Sequence, residues 1–201
     1  MLSRVLALPR WSRVVGSGWF WVALILAVLA LPVGRALFRR LPPMLPILGE
    51  APSFSLVDQR GESFGSSDLL GRAWLLAVLS PSAPEGDLIG DKLARIQHRA
   101  HHLGADFHIV SLTIDPERDS PADLAVFLQR HRGSPRMWTF LTGDREMVTD
   151  LVARLSAWHV PSPGFVLVDA RQRVRAVYDA RDPDVVERLL FDVGLLVNRG
   201  G

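Results

Sequence analysis

The sequence AWLLAVL at residues 73–79 is a continuous apolar run with the length of a buried strand. Residues 107–113, FHIVSLT, form a second run of this kind. Between them, residues 86–103 show a helical pattern, because apolar side chains three and four positions apart share one helix face: Ile89, Leu93, Ile96, Ala100 and Leu103. A strand, a helix and a strand in this order predict parallel strands of a central sheet joined by a crossover helix.

The same alternation continues on both sides of this unit. Two helices are predicted to begin at Ser120-Pro121 and Asp182-Pro183, where a capping residue precedes a proline, and a third helix is predicted at residues 144–158. The chain ends with two strands joined by a short turn and followed by a helix. This order is that of the thioredoxin fold, so we predict an α/β domain with a thioredoxin-like mixed sheet, mostly parallel in its centre and flanked by helices. The remaining strands are predicted at residues 53–57, 138–141, 165–168 and 174–178.

The composition excludes several classes of function. The chain has no cysteine, which excludes disulfides, thiolate metal sites, thioredoxin-type exchange and a cysteine nucleophile. It also lacks a glycine-rich phosphate loop, and no serine–histidine pairing or close carboxylate dyad is visible in the sequence. We therefore predict that the protein is not an enzyme. Residues 41–201 hold 17 basic and 21 acidic groups, so the folded part offers no basic surface for nucleic acid.

The N-terminal region predicts a membrane anchor. Residues 14–33 are twenty residues without a charge, which as a helix span roughly 30 Å, the thickness of the bilayer core. Trp19 and Trp21 lie toward one end, where indole rings favour the membrane interface. A cleaved signal peptide is the alternative. We predict a basic flank at residues 1–13, an anchor at 14–33, an arginine- and proline-containing linker at 34–48 and the thioredoxin-like domain at 49–201.

Several motifs in the domain carry a family resemblance. The segment IDPERDSP at residues 114–121 follows a predicted strand and opens a helix. It resembles a signature of the Sco family, membrane-anchored thioredoxin-fold copper proteins of cytochrome c oxidase assembly. Further resemblances, in matching order over residues 45–197, are Pro52-x-Phe54-x-Leu56, Asp68-Leu69-x-Gly71, WTFLTGD at 138–144 and FVLVD at 165–169.

The resemblance also implies where copper would bind. Active members of the family use Cys-x-x-x-Cys and a distant histidine, and these positions fall here on Ala83, Asp87 and Pro161. Soft thiolates are the ligands that hold Cu(I), and none of the three residues supplies one. We therefore expect no metal and no other cofactor at these positions, while copper at other ligands stays possible.

Two sets of histidines are candidate substitutes. His159 lies two residues before Pro161 and, with Asp87, offers one imidazole and one carboxylate; the alternative is that Asp87 caps a helix and His159 is an exposed loop residue. His98, His101 and His102 lie on a helix face that we predict to point into solvent. A Cu(II)-binding protein that uses these residues is the alternative function.

The favoured function follows from the resemblance. We expect a single-pass protein of the inner membrane, anchored through residues 14–33, with its domain on the periplasmic or equivalent side. It would bind a cytochrome c oxidase subunit or another assembly factor without thiol copper chemistry, and not nucleic acid. The motif residues Asp115, Pro116, Arg118 and Asp119 are expected either to shape their loop or to contact that partner.

Overall fold

Eight strands form one mixed sheet in the computed structural model, which describes residues 18, 19, 21, 22, 24–28 and 45–198. Their order across the sheet is β1-β8-β7-β4-β5-β6-β2-β3. The central pairs β4–β5 and β5–β6 are parallel, and every other pair is antiparallel. The strands are β1 Gly49–Glu50, β2 Ser55–Asp58, β3 Ser63–Gly65, β4 Ala73–Leu79, β5 Phe107–Thr113, β6 Trp138–Thr142, β7 Gly164–Val168 and β8 Arg173–Asp179.

Four α-helices of the described domain cover both faces of the sheet. They are α1 Gly86–Ala100, α2 Pro121–Arg130, α3 Arg145–Leu155 and α4 Val185–Asn198, and short 3₁₀ turns lie at Ser66–Leu69, His101–Asp106 and Ser156–Trp158. The second helix begins as its sequence predicts. Ser120 caps it, accepts a hydrogen bond from the backbone N–H of Asp123, and precedes Pro121.

Alternating side chains of the central strands build two separate cores. Leu75 and Ala77 of β4 point to the face covered by α1, α2 and α4, whereas Trp74 and Leu76 point to the face covered by α3 and by the β2–β3 hairpin. All seven residues of β4 are buried, as expected of a strand with helices on both faces. The thioredoxin-like expectation is confirmed at this level, including the antiparallel pairing of β7 with β8.

Several details differ from the sequence prediction, which does not include the short strands β1 and β3. The helix predicted over residues 86–103 ends at Ala100, because the chain continues as a 3₁₀ turn and then reverses at Gly104, whose φ is +56°. The sheet is mixed as predicted, and its parallel part is limited to β4, β5 and β6, since β2 and β7 run antiparallel to their neighbours. These differences leave the order of the predicted elements unchanged.

The predicted membrane span at residues 14–33 lies largely outside the described residues. Its described members, 18, 19, 21, 22 and 24–28, are helical with exposed side chains. None of the helices described here combines the length and the apolar character that a bilayer crossing requires. The predicted basic flank at 1–13 and most of the linker, residues 34–44, also lie outside the described part. The chain divides into the units Met1–Pro43 and Met44–Gly201, and the second unit contains all the labelled strands and helices.

Candidate functional site

The three family ligand positions lie at one edge of the sheet, Ala83 and Pro161 in loops and Asp87 in the first turn of α1. Leu79 of β4 is paired with Thr113 of β5, and Val78 is paired with Gly164 at the start of β7. The loop after β4, which contains Ala83, and the loop before β7, which contains Pro161, therefore meet at this edge. We call it the motif edge, and define it as residues 80–87, 114–123, 143–146 and 179–187 together with the loop 159–163.

Ala83 and the loop before β7 line one small cavity. Its volume is about 160 Å³, and its walls include the apolar side chains of Leu79, Ala83, Ile89, Ile114 and Pro163. Ser80, Glu85, Gly86 and Ser162 complete the lining. Where the family resemblance places a cysteine, the structure thus has a methyl group facing mainly apolar walls.

Two glycines hold the backbone of this cavity in place. A Cβ at Gly86 would lie 2.7 Å from the carbonyl oxygens of both Ser80 and Pro81, so the turn between β4 and α1 requires a glycine there. A Cβ at Gly164 would lie 2.2 Å from the carbonyl oxygen of Pro161. The Pro161 segment therefore packs directly on the first residue of β7.

Asp87 forms an ion pair with a neighbouring helix. Its carboxylate accepts a hydrogen bond from Arg130 Nη1 at 2.8 Å and lies 3.3 Å from His131 Nε2. These contacts, with that from Arg130 the largest, lower the pKa of Asp87. The expectation that Asp87 caps the helix is wrong, because the cap residue is Glu85 and Asp87 lies in the first turn with its carboxylate directed at α2.

His131, next to Arg130 at the end of α2, contacts both Asp87 and Asp91 of α1. Its ring is buried, and its Nδ1 lies 3.1 Å from Asp91, one helical turn beyond Asp87. The ring lies so close to Gly90 that a Cβ there would be 2.4 Å from Nε2. Sequence reasoning missed His131 and Arg130, since neither belongs to a motif and each lies more than 40 residues from Asp87.

The motif loop is anchored by a buried carboxylate. Asp119 is 1% exposed and accepts hydrogen bonds from Ser80 Oγ at 3.0 Å and from Thr113 Oγ1. Ser80 Oγ in turn lies 2.9 Å from Ser82 Oγ. Asp119 thereby joins the ends of β4 and β5, and its two donors, Ser80 and Thr113, were not identified from the sequence.

The other motif residues turn the loop. The carbonyl oxygen of Asp115 accepts hydrogen bonds from the backbone N–H groups of Arg118 and Asp119. Arg118 Nε also lies 3.9 Å from the Asp115 carboxylate. Pro116 contributes to an open groove of about 580 Å³ between this loop and β2. A second cavity, of about 240 Å³, lies beside Asp119 and is lined by Pro81, Ser82, Arg118, Asp119, Asp123, Val126, Phe127 and Arg130.

The candidate histidine sites are not assembled. His159 is an exposed residue in the left-handed region with φ +53°, whereas Asp87 is paired with α2. His98, His101 and His102 are exposed, as their spacing predicts, and Nδ1 of His102 lies 2.9 Å from the carbonyl oxygen of Arg99. Among the described residues, no three histidine, cysteine or acidic side chains are grouped closely enough to hold a metal ion.

Comparison with known proteins assigns the family. The family model described as SCO1/SenC matches residues 49–184. The chain belongs to the SCO1/SenC family. An SCO2-like protein of Rickettsia typhi is 29% identical over 119 residues, which cover 59% of this chain and 56% of that protein. The chain thus spans little more than half the length of this SCO1/SenC relative.

Solved structures agree with the fold. Yeast Sco1 with copper bound is 27% identical, with a TM-score of 0.56 over 74% of this chain and 93% of the yeast chain. BsSco, a member of the Sco family of cytochrome c oxidase assembly proteins, is 22% identical, with a TM-score of 0.66 over 77% of this chain and 97% of its own.

The residues at the family ligand positions do not fit a copper ion. Ala83 and Pro161 have no donor atom in their side chains, and the carboxylate of Asp87 is engaged by Arg130. A thiolate cannot come from elsewhere in the chain, which has no cysteine. Membership of the SCO1/SenC family and the absence of its thiolate ligands are therefore both properties of this sequence.

Proposed function

We propose that this SCO1/SenC protein assists the assembly of cytochrome c oxidase by binding a protein partner at its motif edge, and that it does not carry copper on thiolates. The observation that carries the proposal is the state of the family ligand positions. Ala83 lines an apolar cavity and Asp87 joins α1 to α2, so the edge has kept its fold while its donor set is absent.

The edge has features that suit a protein contact. Ile114 is 43% exposed at the rim of the cavity that holds Ala83, and Val126 is 55% exposed at the rim of the cavity beside Asp119. Apolar side chains next to concave, rigidly built surfaces are typical anchor points of protein interfaces. No catalytic group is needed for this role, and we propose that the protein is not an enzyme.

We further propose that residues 14–33 anchor the protein in the inner membrane, with the domain on the periplasmic or equivalent side. The uncharged length of this segment supports an anchor, and the family supports the location. Anchoring confines the protein to the membrane in which an oxidase is assembled. A reporter that is active only in the cytoplasm, fused after Gly201, should be inactive.

Two measurements on the full-length protein test the proposed function. Capture from native membranes should recover an oxidase subunit or an assembly factor. Ile114→Glu should abolish the capture, whereas Leu70→Glu, an exposed control in the turn before β4, should not. Equal capture by both variants would contradict a partner site at the motif edge.

The second measurement is competition for Cu(I) with a strong chelator. The unmodified protein should lose the competition, because the chain contains no thiolate. Tight Cu(I) binding by the unmodified chain would overturn the proposal that it works without copper. The triple variant Ala83→Cys, Asp87→Cys and Pro161→His is the positive control for the backbone geometry, and it also removes the Arg130 ion pair.

A further inference from the structure

The motif edge carries a strong excess of negative charge. Its segments 80–87, 114–123, 143–146 and 179–187 contain twelve carboxylates and three arginines, Arg118, Arg145 and Arg181. Three of these segments follow the ends of β4, β5 and β6, and the fourth begins with the last residue of β8. Strand pairing brings the first residues of all four to the same edge, because Leu79 is paired with Thr113, Leu112 with Leu141, and Gly164 with both Val78 and Asp179. Glu187, the last residue of the fourth segment, lies farther away on α4 and pairs with Arg99 near the end of α1.

Internal ion pairs leave this excess only partly neutralised. Arg99, Arg130 and Arg188 lie outside the four segments and pair with Glu187, Asp87 and Asp182, which leaves twelve carboxylates against six arginines. Within the part of the chain that the structure describes, five of the twelve have no ion pair: Asp119, Asp123, Asp144, Glu146 and Asp184.

The rest of the domain has the opposite sign. Outside the four segments, residues 45–198 contain thirteen basic and nine acidic groups. The charge is therefore separated along the domain, with the negative end where the loops of the motif edge lie. Such a separation orients an approaching partner and raises its rate of association when the partner is positively charged.

Apolar and buried acidic groups are combined at the centre of this edge. The cavity of about 240 Å³ has apolar walls at Pro81, Val126 and Phe127, and its lining also includes two acidic residues, Asp119 and Asp123, and two arginines, Arg118 and Arg130. The hydrogen bonds that Asp119 receives come from the uncharged hydroxyls of Ser80 and Thr113. A buried carboxylate without a cation is costly unless one is supplied from outside.

We propose that the motif edge is a docking face for a basic segment of a protein partner, in which lysine or arginine side chains flank apolar ones. The apolar side chains would enter the cavities beside Ala83 and Val126, and the cationic ones would meet the unpaired carboxylates around them. This inference rests on the proposed partner-binding function and specifies the chemistry of the partner. A metal cation is the competing occupant that the test has to separate.

The sequence makes carbodiimide coupling a direct test. Lys92 is the single lysine of the chain, and its Nζ is engaged by the carbonyl oxygens of Ala180 and Asp182, so few amines of the protein itself can react. The full chain in phosphatidylcholine nanodiscs would be coupled to an acetylated Lys-Leu-Gly repeat peptide, and the joined carboxylates mapped by mass spectrometry. Coupling should concentrate at the exposed unpaired carboxylates, Asp123, Asp144, Glu146 and Asp184. Coupling in proportion to exposure over the whole domain would overturn the proposal.

Matched variants distinguish binding at the motif edge from nonspecific attraction of the peptide to acidic residues anywhere on the domain. The variant Glu117→Gln, Asp144→Asn, Glu146→Gln and Asp184→Asn removes four exposed charges at the edge. The control, Glu50→Gln, Glu62→Gln, Asp106→Asn and Asp150→Asn, removes four exposed charges elsewhere and has the same net charge. The edge variant should bind the lysine peptide about tenfold more weakly, and the control within about twofold of the parent.

The remaining outcomes are decisive as well. Equal weakening by the two variants, or equal binding of a Glu-Leu-Gly repeat peptide, would contradict the proposal. Displacement of the lysine peptide by stoichiometric Cu(II) or Ca²⁺ would show that a metal cation is the occupant. If an oxidase subunit is captured from membranes while the peptide couples at random, the proposed function stands and only this inference fails.

Discussion

Asp87 occupies the position where the family resemblance places a copper-binding cysteine, and its carboxylate now joins two helices. It pairs with Arg130, and with Asp91 it encloses the ring of His131. The two ring nitrogens of His131 face one carboxylate each, Nε2 that of Asp87 and Nδ1 that of Asp91. A position that resembles a metal site has thus become a contact between α1 and α2.

Replacing Asp87 should destabilise the domain without changing its fold. Asp87→Ala removes a largely exposed ion pair and one contact of a buried imidazole, so we expect the free energy of unfolding to fall by about 1 kcal/mol. Urea denaturation measures this loss as a lower midpoint with an unchanged slope. Glu146→Ala, an exposed residue of α3, should change the value by less than about 0.5 kcal/mol. Equal losses would contradict the proposed role of Asp87.

His108 should make the stability of the domain depend on pH. It is 5% exposed in β5, its Nε2 lies 2.9 Å from Thr139 Oγ1, and its ring stacks on Phe64. Burial, with a smaller contribution from the charge of Arg72, lowers the pKa of His108 to about 4. In the unfolded chain the pKa is about 6.5, so between these values the unfolded state binds more protons.

The free energy of unfolding is therefore highest above about pH 6.5, where His108 is neutral in both states, and it decreases as the pH falls toward 4. We expect a loss of about 3 kcal/mol across this window, measured by urea denaturation at a series of pH values. His108→Gln should flatten the profile between these limits whatever its effect at neutral pH. Parallel profiles for the two proteins would contradict this assignment.

At the scale of elements, two hairpins use one turn design. Asp58, the last residue of β2, and Asp169, directly after β7, each accept hydrogen bonds from the backbone N–H groups two and four residues later. Each also accepts a hydrogen bond from a nearby arginine side chain, that of Arg60 or of Arg173. Burial alone would raise the pKa of Asp169, but the hydrogen bonds from Arg173 and Arg175 and from the backbone outweigh it and lower the pKa. The two turns differ in what surrounds the carboxylate.

This difference predicts unequal costs for the same substitution. Arg175 is 4% exposed and donates to Asp169, so Asp169→Asn leaves a buried guanidinium without its counter-charge and should cost about 3–5 kcal/mol. Arg60, the partner of Asp58, is largely exposed, and Asp58→Asn should cost about 1–2 kcal/mol. Urea denaturation of both variants tests the comparison. A smaller loss for the Asp169 variant would show that Arg175 does not depend on this pair.

At the scale of the whole molecule, the domain separates its charges along the sheet. Loops and helix N-termini at the motif edge carry most of the acidic residues, while the remainder of the domain is mildly basic. Acidic residues such as Asp123 and Glu146 also lie in the first turns of their helices, where a negative charge interacts favourably with the helix dipole. The same carboxylates therefore contribute both to helix stability and to the negative electrostatic potential at this edge.

Lys92 should report on the opening of the whole domain. It is 5% exposed on α1 and donates to two carbonyl oxygens in the connection between β8 and α4, so a reagent reaches it only when these elements separate. Under native conditions an amine-reactive ester should modify the N-terminus and leave Lys92 unmodified. In urea above the unfolding midpoint, mass spectrometry should find both groups modified. Rapid native labelling of Lys92 would show that α1 is not held in this way.

The sequence by itself determined the order of the elements, the bounds of β4 and β5, the family and the absence of thiolate ligands, because apolar periodicity and residue identity are local properties. It missed the short strands β1 and β3, whose two and three residues carry no readable pattern. The partners of Asp87 and Asp119, the cavity beside Ala83 and the convergence of four acidic segments at one edge were decided only by the tertiary structure. These features join residues that are distant in the chain, and strand register and helix packing bring such residues together.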